Sequence, residues 1–276
     1  LSGIAKDLNK MSAKSGVKAL ADQDADSTLF RWVALLTGSK NALKGAGFFV
    51  GAAGLELLGF RTTLALLAGA LAIVAVVTAV LLPPRLGKAK GKPPFTQVFS
   101  NRPAINWLSA ARFFLFGSRD VWFVVALPVF AYTTLGWSFM QIGTYMALWI
   151  IGYGIVQATA PSLLGTKSPG SAPTGSTALK SAAILTLAPV AIAVGLQQGF
   201  TPGAVVTVGL AIFGIVFALN SAIHSYLILA YADHDKVAMN VGFYYMANSG
   251  GRLAGTLLSG LVYRSEEHTS ELQSPC

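Results

Sequence analysis

Acidic side chains and cysteine are what this chain has least of. Asp and Glu number 11 against 20 Lys and Arg in 276 residues, a formal charge of +9. The one cysteine is Cys276, the last residue, so the body of the chain has no thiol and neither disulfides nor cysteine chemistry can operate there. His224 and His234 have no Glu at metal-binding spacing, which argues against a zinc centre. No G-x-S-x-G frames a serine nucleophile, and no Walker loop cradles nucleotide phosphates. No cofactor is therefore expected, and the chain does not read as an enzyme.

Long charge-free runs are what it has instead. Thr62–Pro84, Val121–Thr166 and Ser181–Ala232 contain no Asp, Glu, Lys or Arg, and the hydrocarbon core of a bilayer needs about 20 apolar residues of helix. The last two runs are each long enough for two spans, with turn signals at Leu135-Gly136-Trp137 and between Gly199 and Gly203. With 54% hydrophobic residues and a mean hydropathy of +0.61, the sequence predicts an all-α polytopic protein of the lipid bilayer. About seven full spans and part of an eighth are expected: the end of one helix to about Leu20, then spans at about 30–60, 62–82, 104–133, 138–160, 179–198, 204–231 and 236–263.

Both ends are unusual. Leu1 is not a start methionine and opens directly inside a small-residue helix, so preceding sequence is expected. At the other end, Arg264–Cys276 (RSEEHTSELQSPC) breaks from apolar helix into acidic polar sequence, and the string resembles the in-frame translation of a sequencing-library adapter. Residues 264–276 are read as a non-native tail without fold or function of its own. Setting it aside removes one cation and three anions and makes the remainder more basic still.

A Pro/Lys-rich linker at 83–103, with Arg85, Lys88, Lys90, Lys92 and Arg102, divides residues 1–82, the remainder of an amino-terminal helical bundle, from a carboxy-terminal bundle at 104–263. Connectors on the linker's side of the membrane hold Lys167, Lys180 and Lys236, while those opposite hold only Arg61. By the positive-inside rule the linker is cytoplasmic. Its charge then serves orientation, and no nucleic-acid partner is expected. An offset that sets Gly47 on Gly250 also sets Gly51 on Ala254, Leu58 on Leu261 and Phe60 on Tyr263, a weak internal repeat of the kind two-bundle transporters carry.

Lys6, Lys10 and Lys14 recur at helical spacing, as do Lys40 and Lys44. Like charges one turn apart repel, and a cation at membrane depth costs about 2.5–3.5 kcal/mol on insertion scales. Inward-facing cations between apolar helices suit an anion, so the pattern predicts transport of a small, negatively charged solute. Lys6, Lys10, Lys40 and Lys44, with Asn41 beside the last two, are candidate ligands; snorkelling to the headgroups is the alternative. Lys14 and Lys18 read as surface residues.

Further along, Arg119 and Asp120 sit near mid-span. Neighbours in a helix point about 100° apart, so each is expected to need a partner of its own. Asp120 is a candidate proton carrier, with a structural ion pair as the alternative. Arg112, one helical repeat earlier, is a candidate gate cation. Arg252 follows Gly250-Gly251, where its fork could take two oxygens of a bound oxyanion. Asn240, Tyr244 and Asn248 precede it at four-residue steps, a polar stripe unsuited to lipid. Asn220 and His224 form another such pair, His224 serving to relay protons, to bind a ligand hydroxyl or simply to bond a neighbouring helix.

Two helical halves around a basic central loop resemble the major facilitator superfamily. The segments SGIAKDLNKMSAKS (Ser2–Ser15), RWVALLTGSKNALKGAGFF (Arg31–Phe49), SRDVWFVVALPVF (Ser118–Phe130) and GFYYMANSGGRLAGTLLSG (Gly242–Gly260) resemble its ArsJ organoarsenical efflux transporters, over nearly all of residues 1–263. The resemblance implies a two-bundle major facilitator fold truncated at both ends, beginning in the fourth helix of that fold and ending after the eleventh. The fourth, fifth, seventh, eighth, tenth and eleventh helices would line its central cavity. It further implies export of 1-arseno-3-phosphoglycerate across the inner (plasma) membrane by alternating access; with no Walker loop for ATP, coupling to the proton gradient is the energy source that remains. The functional partner implied is the glyceraldehyde-3-phosphate dehydrogenase that makes this ester. An organic-phosphate or other anion transporter of the same superfamily is the alternative.

Overall fold

Each described stretch of the charge-free runs that was expected to span folds as helix, since a backbone in hydrocarbon has to satisfy its own N–H and C=O groups. The computed structural model describes residues 13–14, 16–17, 26–81, 100, 102–166, 171–233 and 237–273, and among these residues there is no strand. Helix α1 (Asp26–Leu81) bends at Gly59, whose φ of 74° is open chiefly to glycine. It is therefore two rods, 26–58 and 60–81, meeting where a turn near Arg61 was expected. Helix α2 (Pro103–Val121) passes through a π-helical turn at Trp122–Ala126 into α3 (Leu127–Thr133), and α4 (Phe139–Leu163), α5 (Gly175–Gln197), α6 (Pro202–Tyr231) and α7 (Val237–Gln273) follow.

Five segments are long and apolar enough to cross a membrane by length and composition: Leu57–Leu81, Pro103–Thr133, Met140–Leu163, Gly175–Gln197 and Pro202–Tyr231. The two other expected spans, the first rod of α1 and α7, are helical too, but carry the lysines and the polar stripe. The tail differs from expectation, because α7 stays helical through Gln273. A helix already nucleated extends at little cost through residues such as Glu and Leu.

Local chemistry sets the boundaries. Ser138 and Gln141 form a reciprocal capping box at the start of α4, and Thr174 and Thr177 do so for α5. Pro103 and Pro202 occupy the first turns of α2 and α6, where the missing N–H costs nothing. Pro128 explains the π turn: its ring cannot donate and crowds the preceding turn. The ladder widens, Leu127 N–H reaching back to the Trp122 carbonyl. The Ala126 N–H also donates across to Ser259 Oγ on α7, at 3.2 Å.

Backbone-to-backbone contact holds two pairs of helices together. On α1 and α4, Gly38 and Gly154 approach so closely that a Cβ on either would fall 2.3 Å from a backbone nitrogen of the other helix. On α2 and α7, Gly117 meets Gly251 and Gly255 in the same way. Small residues at a crossing are the membrane's substitute for a hydrophobic drive. Helix α6 touches α1, α2, α4, α5 and α7, and every residue from Asn220 to Leu229 is buried. One apolar cluster, with Phe30, Ile105, Ile228 and Val241, surrounds that buried stretch. A second, aromatic cluster holds Phe116, Phe123, Trp149, Tyr153, Phe213 and Phe217. Leu64–Leu81 contrasts with both, for it carries no charge and every residue in it is exposed, the composition of a lipid-facing rod.

Candidate functional site

The charged residues of the interior gather between the two apolar clusters. Arg112 is 4% exposed on α2. Its Nε donates to Asn248 Oδ1 of α7 at 3.0 Å and its Nη1 to Ser221 Oγ of α6 at 3.0 Å. Ser221 Oγ also accepts from Gln157 Nε2 of α4 at 3.3 Å, and Gln157 Oε1 accepts from Asn41 Nδ2 of α1 at 2.7 Å. One run of hydrogen bonds thus passes through α1, α4, α6, α2 and α7.

Asp120, 0% exposed, lies two turns along α2 from Arg112. Its Oδ1 accepts from Arg119 Nε and its Oδ2 from Arg252 Nε, each at 2.7 Å. The expectation that Arg119 and Asp120 would not pair is therefore corrected. A 100° offset separates Cβ directions, but a guanidinium on three methylenes reaches back across it. The Phe116 ring ties the two arginine groups together, with its centroid 3.9 Å from Arg112 Cζ and 4.8 Å from Arg119 Cζ. Phe217 lies 5.4 Å from Arg119 Cζ.

The sum of charge is one-sided. Among the described residues Asp120 is the single carboxylate bonded to any of these three arginines, so the cluster holds two positive charges in excess. Cation–π contacts contribute about 0.5–2 kcal/mol each, against an effective penalty of several kcal/mol per desolvated ion. The neutral partners soften that penalty without cancelling the charge. A multiply charged anion would.

The other expected site residues divide. Asn220, His224 and Tyr244 are buried, at 0%, 4% and 0% exposure, and Asn240 with them. Arg252 ends the polar stripe with its side chain 46% exposed, its Nε turned to Asp120. Lys40 and Lys44 lie on an exposed flank of α1 beside Asn41 rather than within the arginine cluster. Lys6, Lys10 and Lys18 lie outside the described residues. Lys14, read as surface, is 3% exposed, because it packs over the rings of Tyr244 and Tyr245. Gln157 and Ser221 were not anticipated. The available signal was slight, an amide in the middle of an apolar helix and a serine one residue from Asn220.

A profile of the Major Facilitator Superfamily matches residues 20–256, most of the chain. The chain belongs to the major facilitator superfamily. No curated protein and no solved structure matches it. As a secondary transporter of this superfamily it is a multi-pass membrane protein, and its all-helical architecture accords with that. Major facilitator proteins work by moving one bundle against another, which gives the Asn41–Gln157 bond a particular place: it joins helices from the two sides of the linker. Gln157→Leu should cost about 1 kcal/mol of stability. Asn41→Leu should cost somewhat less, because Gln157 also donates to Ser221 Oγ, and the double variant should cost little more than Gln157→Leu alone, since that change already removes the shared bond. Additive losses in thermal unfolding would show that the two side chains are not partners.

Proposed function

We propose that this protein exports 1-arseno-3-phosphoglycerate, an anionic organoarsenical, by alternating access coupled to protons. The observation that carries the reading is the excess of guanidinium charge at buried Arg112, at Arg119 and at half-exposed Arg252 over the single carboxylate that bonds to them among the described residues, that of Asp120. A solute with a phosphate at one end and an arsenate ester at the other offers charge of the right sign and multiplicity, and guanidinium forks match such oxygens. Lys6, Lys10, Lys40, Lys44, Asn41, Asn220, His224, Tyr244 and Asn248 complete the proposed binding set. Asp120 and His224 are the proposed proton carriers. The proposal places the protein in the inner (plasma) membrane with the 83–103 linker in the cytoplasm, served by a glyceraldehyde-3-phosphate dehydrogenase that makes the substrate.

Arsenate resistance of a sensitive bacterium carrying the full-length gene tests this. Resistance is expected only when the dehydrogenase is co-expressed. Resistance without the enzyme would overturn the arseno-ester reading, and uptake of an organic phosphate into vesicles in place of resistance would favour the organic-phosphate alternative.

A further inference from the structure

Among the described residues, every neutral side chain that buries a polar atom without a hydrogen-bond partner lies in one region: Ser109 on α2, Asn220, His224 and Ser225 on α6, and Tyr244 on α7. None is more than 4% exposed. Buried polar groups in folded proteins are nearly always paired, and Gln157, Ser221 and Ser259, buried on the same helices or on α4, follow that rule. The exceptions call for a partner that the chain itself does not supply.

The directions of the helices bring these five residues together. Arg112 meets Asn248, Gly117 meets Gly251 and Ala126 meets Ser259, so α2 and α7 run parallel. Arg112 meets Ser221, Phe116 meets Phe217 and Trp122 meets Phe213, so α6 runs against both. One turn back along α2 and α7 is therefore level with one turn onward along α6. From the bonds of Arg112, those steps reach Ser109, Tyr244, and His224 with Ser225, while Asn220 stays level with Arg112 beside Ser221. The Tyr244 ring centroid lies 5.0 Å from Arg112 Cζ. The hydroxyls of Ser225 and Tyr244 approach each other without the geometry of a hydrogen bond, and even a bonded pair would leave one proton and several lone pairs to place.

We propose that Ser109, Asn220, His224, Ser225 and Tyr244 form a neutral subsite that takes the hydroxyl-bearing carbon chain of the solute while Arg112 holds its anionic group. The proposal rests on the anion reading above and adds Ser109 and Ser225 to it. Hydroxyl, amide and imidazole groups supply donors and acceptors together, the pairing that an alcohol oxygen needs. A bare oxyanion satisfies Arg112 and leaves the five unpaired. A phosphate or arsenate ester of a polyol satisfies both. The lining thus selects a hydroxylated ester, because a site built to bond a hydroxyl rejects the analogue that leaves its own buried groups without partners.

Full-length protein in nanodiscs, titrated with glycerol phosphate and separately with propyl phosphate, provides the test, for the two esters share a phosphate and a three-carbon chain and differ only in hydroxyls. Wild-type protein should bind glycerol phosphate about tenfold or more tightly than propyl phosphate. Asn220→Leu and Ser225→Ala should each cut that ratio by about threefold or more, as loss of one hydrogen bond does. Should Asn220→Leu fail to fold, Ser109→Ala, the loss of a single oxygen, takes its place with the same expected outcome. Wild-type protein that binds neither ester would overturn the anion reading and the subsite with it. Wild-type binding without a preference for glycerol phosphate, or a preference that the variants leave unchanged, would overturn the subsite alone and assign the five residues to buried water.

Discussion

Gly251→Ala should undo the packing of α2 on α7, whereas Gly47→Ala should leave the protein as stable as before. A Cβ at Gly251 would fall 2.0 Å from the Phe113 carbonyl oxygen, and one at Gly47 would meet nothing within 4 Å. The obstacle at Gly251 is backbone, so no rotamer change relieves it and the helices have to part. Parting them also draws Arg252 away from Asp120 and Asn248 away from Arg112, because all four belong to the same helix pair. A loss of about 3 kcal/mol or more is expected, at the upper end of overpacking effects. It would be read as a fall in the unfolding midpoint of the full-length protein in detergent, accompanied by loss of transport. A Gly251→Ala protein matching the Gly47→Ala control would mean that the two backbones do not touch.

Asp120→Asn carries the second large effect. Removing one member of a buried ion pair costs about 3–5 kcal/mol, because the partner stays behind uncompensated, and here two guanidiniums depend on one carboxylate. Asparagine keeps an acceptor for one of them, which puts the expected loss near the lower figure. Replacing Arg119 and Asp120 together with leucine should recover much of it, since a buried pair exchanged for apolar side chains is often neutral. The variant also links stability to ligand. Arsenate at a hundred times its dissociation constant adds about 2.7 kcal/mol to a protein that binds it only when folded. Asp120→Asn, with one more uncompensated cation, should bind more tightly and so gain more than wild type at the same arsenate concentration. Equal gains, measured as midpoint shifts against a sodium chloride control, would show that Asp120 does not compete for the cations that bind.

The helices were legible because lipid leaves few options. Uncharged runs of spanning length have to be helical, and Pro103, Ser138, Thr174 and Pro202 mark starts by chemistry that operates within one turn. Arg112, Arg119, Asp120 and Arg252 were equally conspicuous, since charge in hydrocarbon carries a cost that calls for a use. What escaped depended on neighbours far along the chain. Gln157 and Ser221 are ordinary until Asn41 and Arg112 are brought to them. Lys14 was misread because depth along a helix says nothing about a pair of tyrosines that come more than two hundred residues later. The apparent repeat chose Gly47 and Gly250 by spacing, whereas the crossings use Gly38, Gly154, Gly117, Gly251 and Gly255. Small residues are frequent enough in membrane helices that spacing alone does not say which of them touch.

The π turn at Trp122–Ala126 leaves the span from Pro103 to Thr133 with slack in its register. It holds one residue more than its axial length requires, and it begins two positions after Asp120. Closing it to an ordinary turn would rotate everything toward Thr133 by about 100° and advance it by about 1.5 Å relative to the arginine cluster. Such a change would break the bond from Ala126 N–H to Ser259 Oγ and would turn buried Phe123, Leu127 and Ala131 out of their present packing. Ser259 lies on the same helix as Arg252, two turns away, so the π turn and the charged cluster are both bonded to one rod.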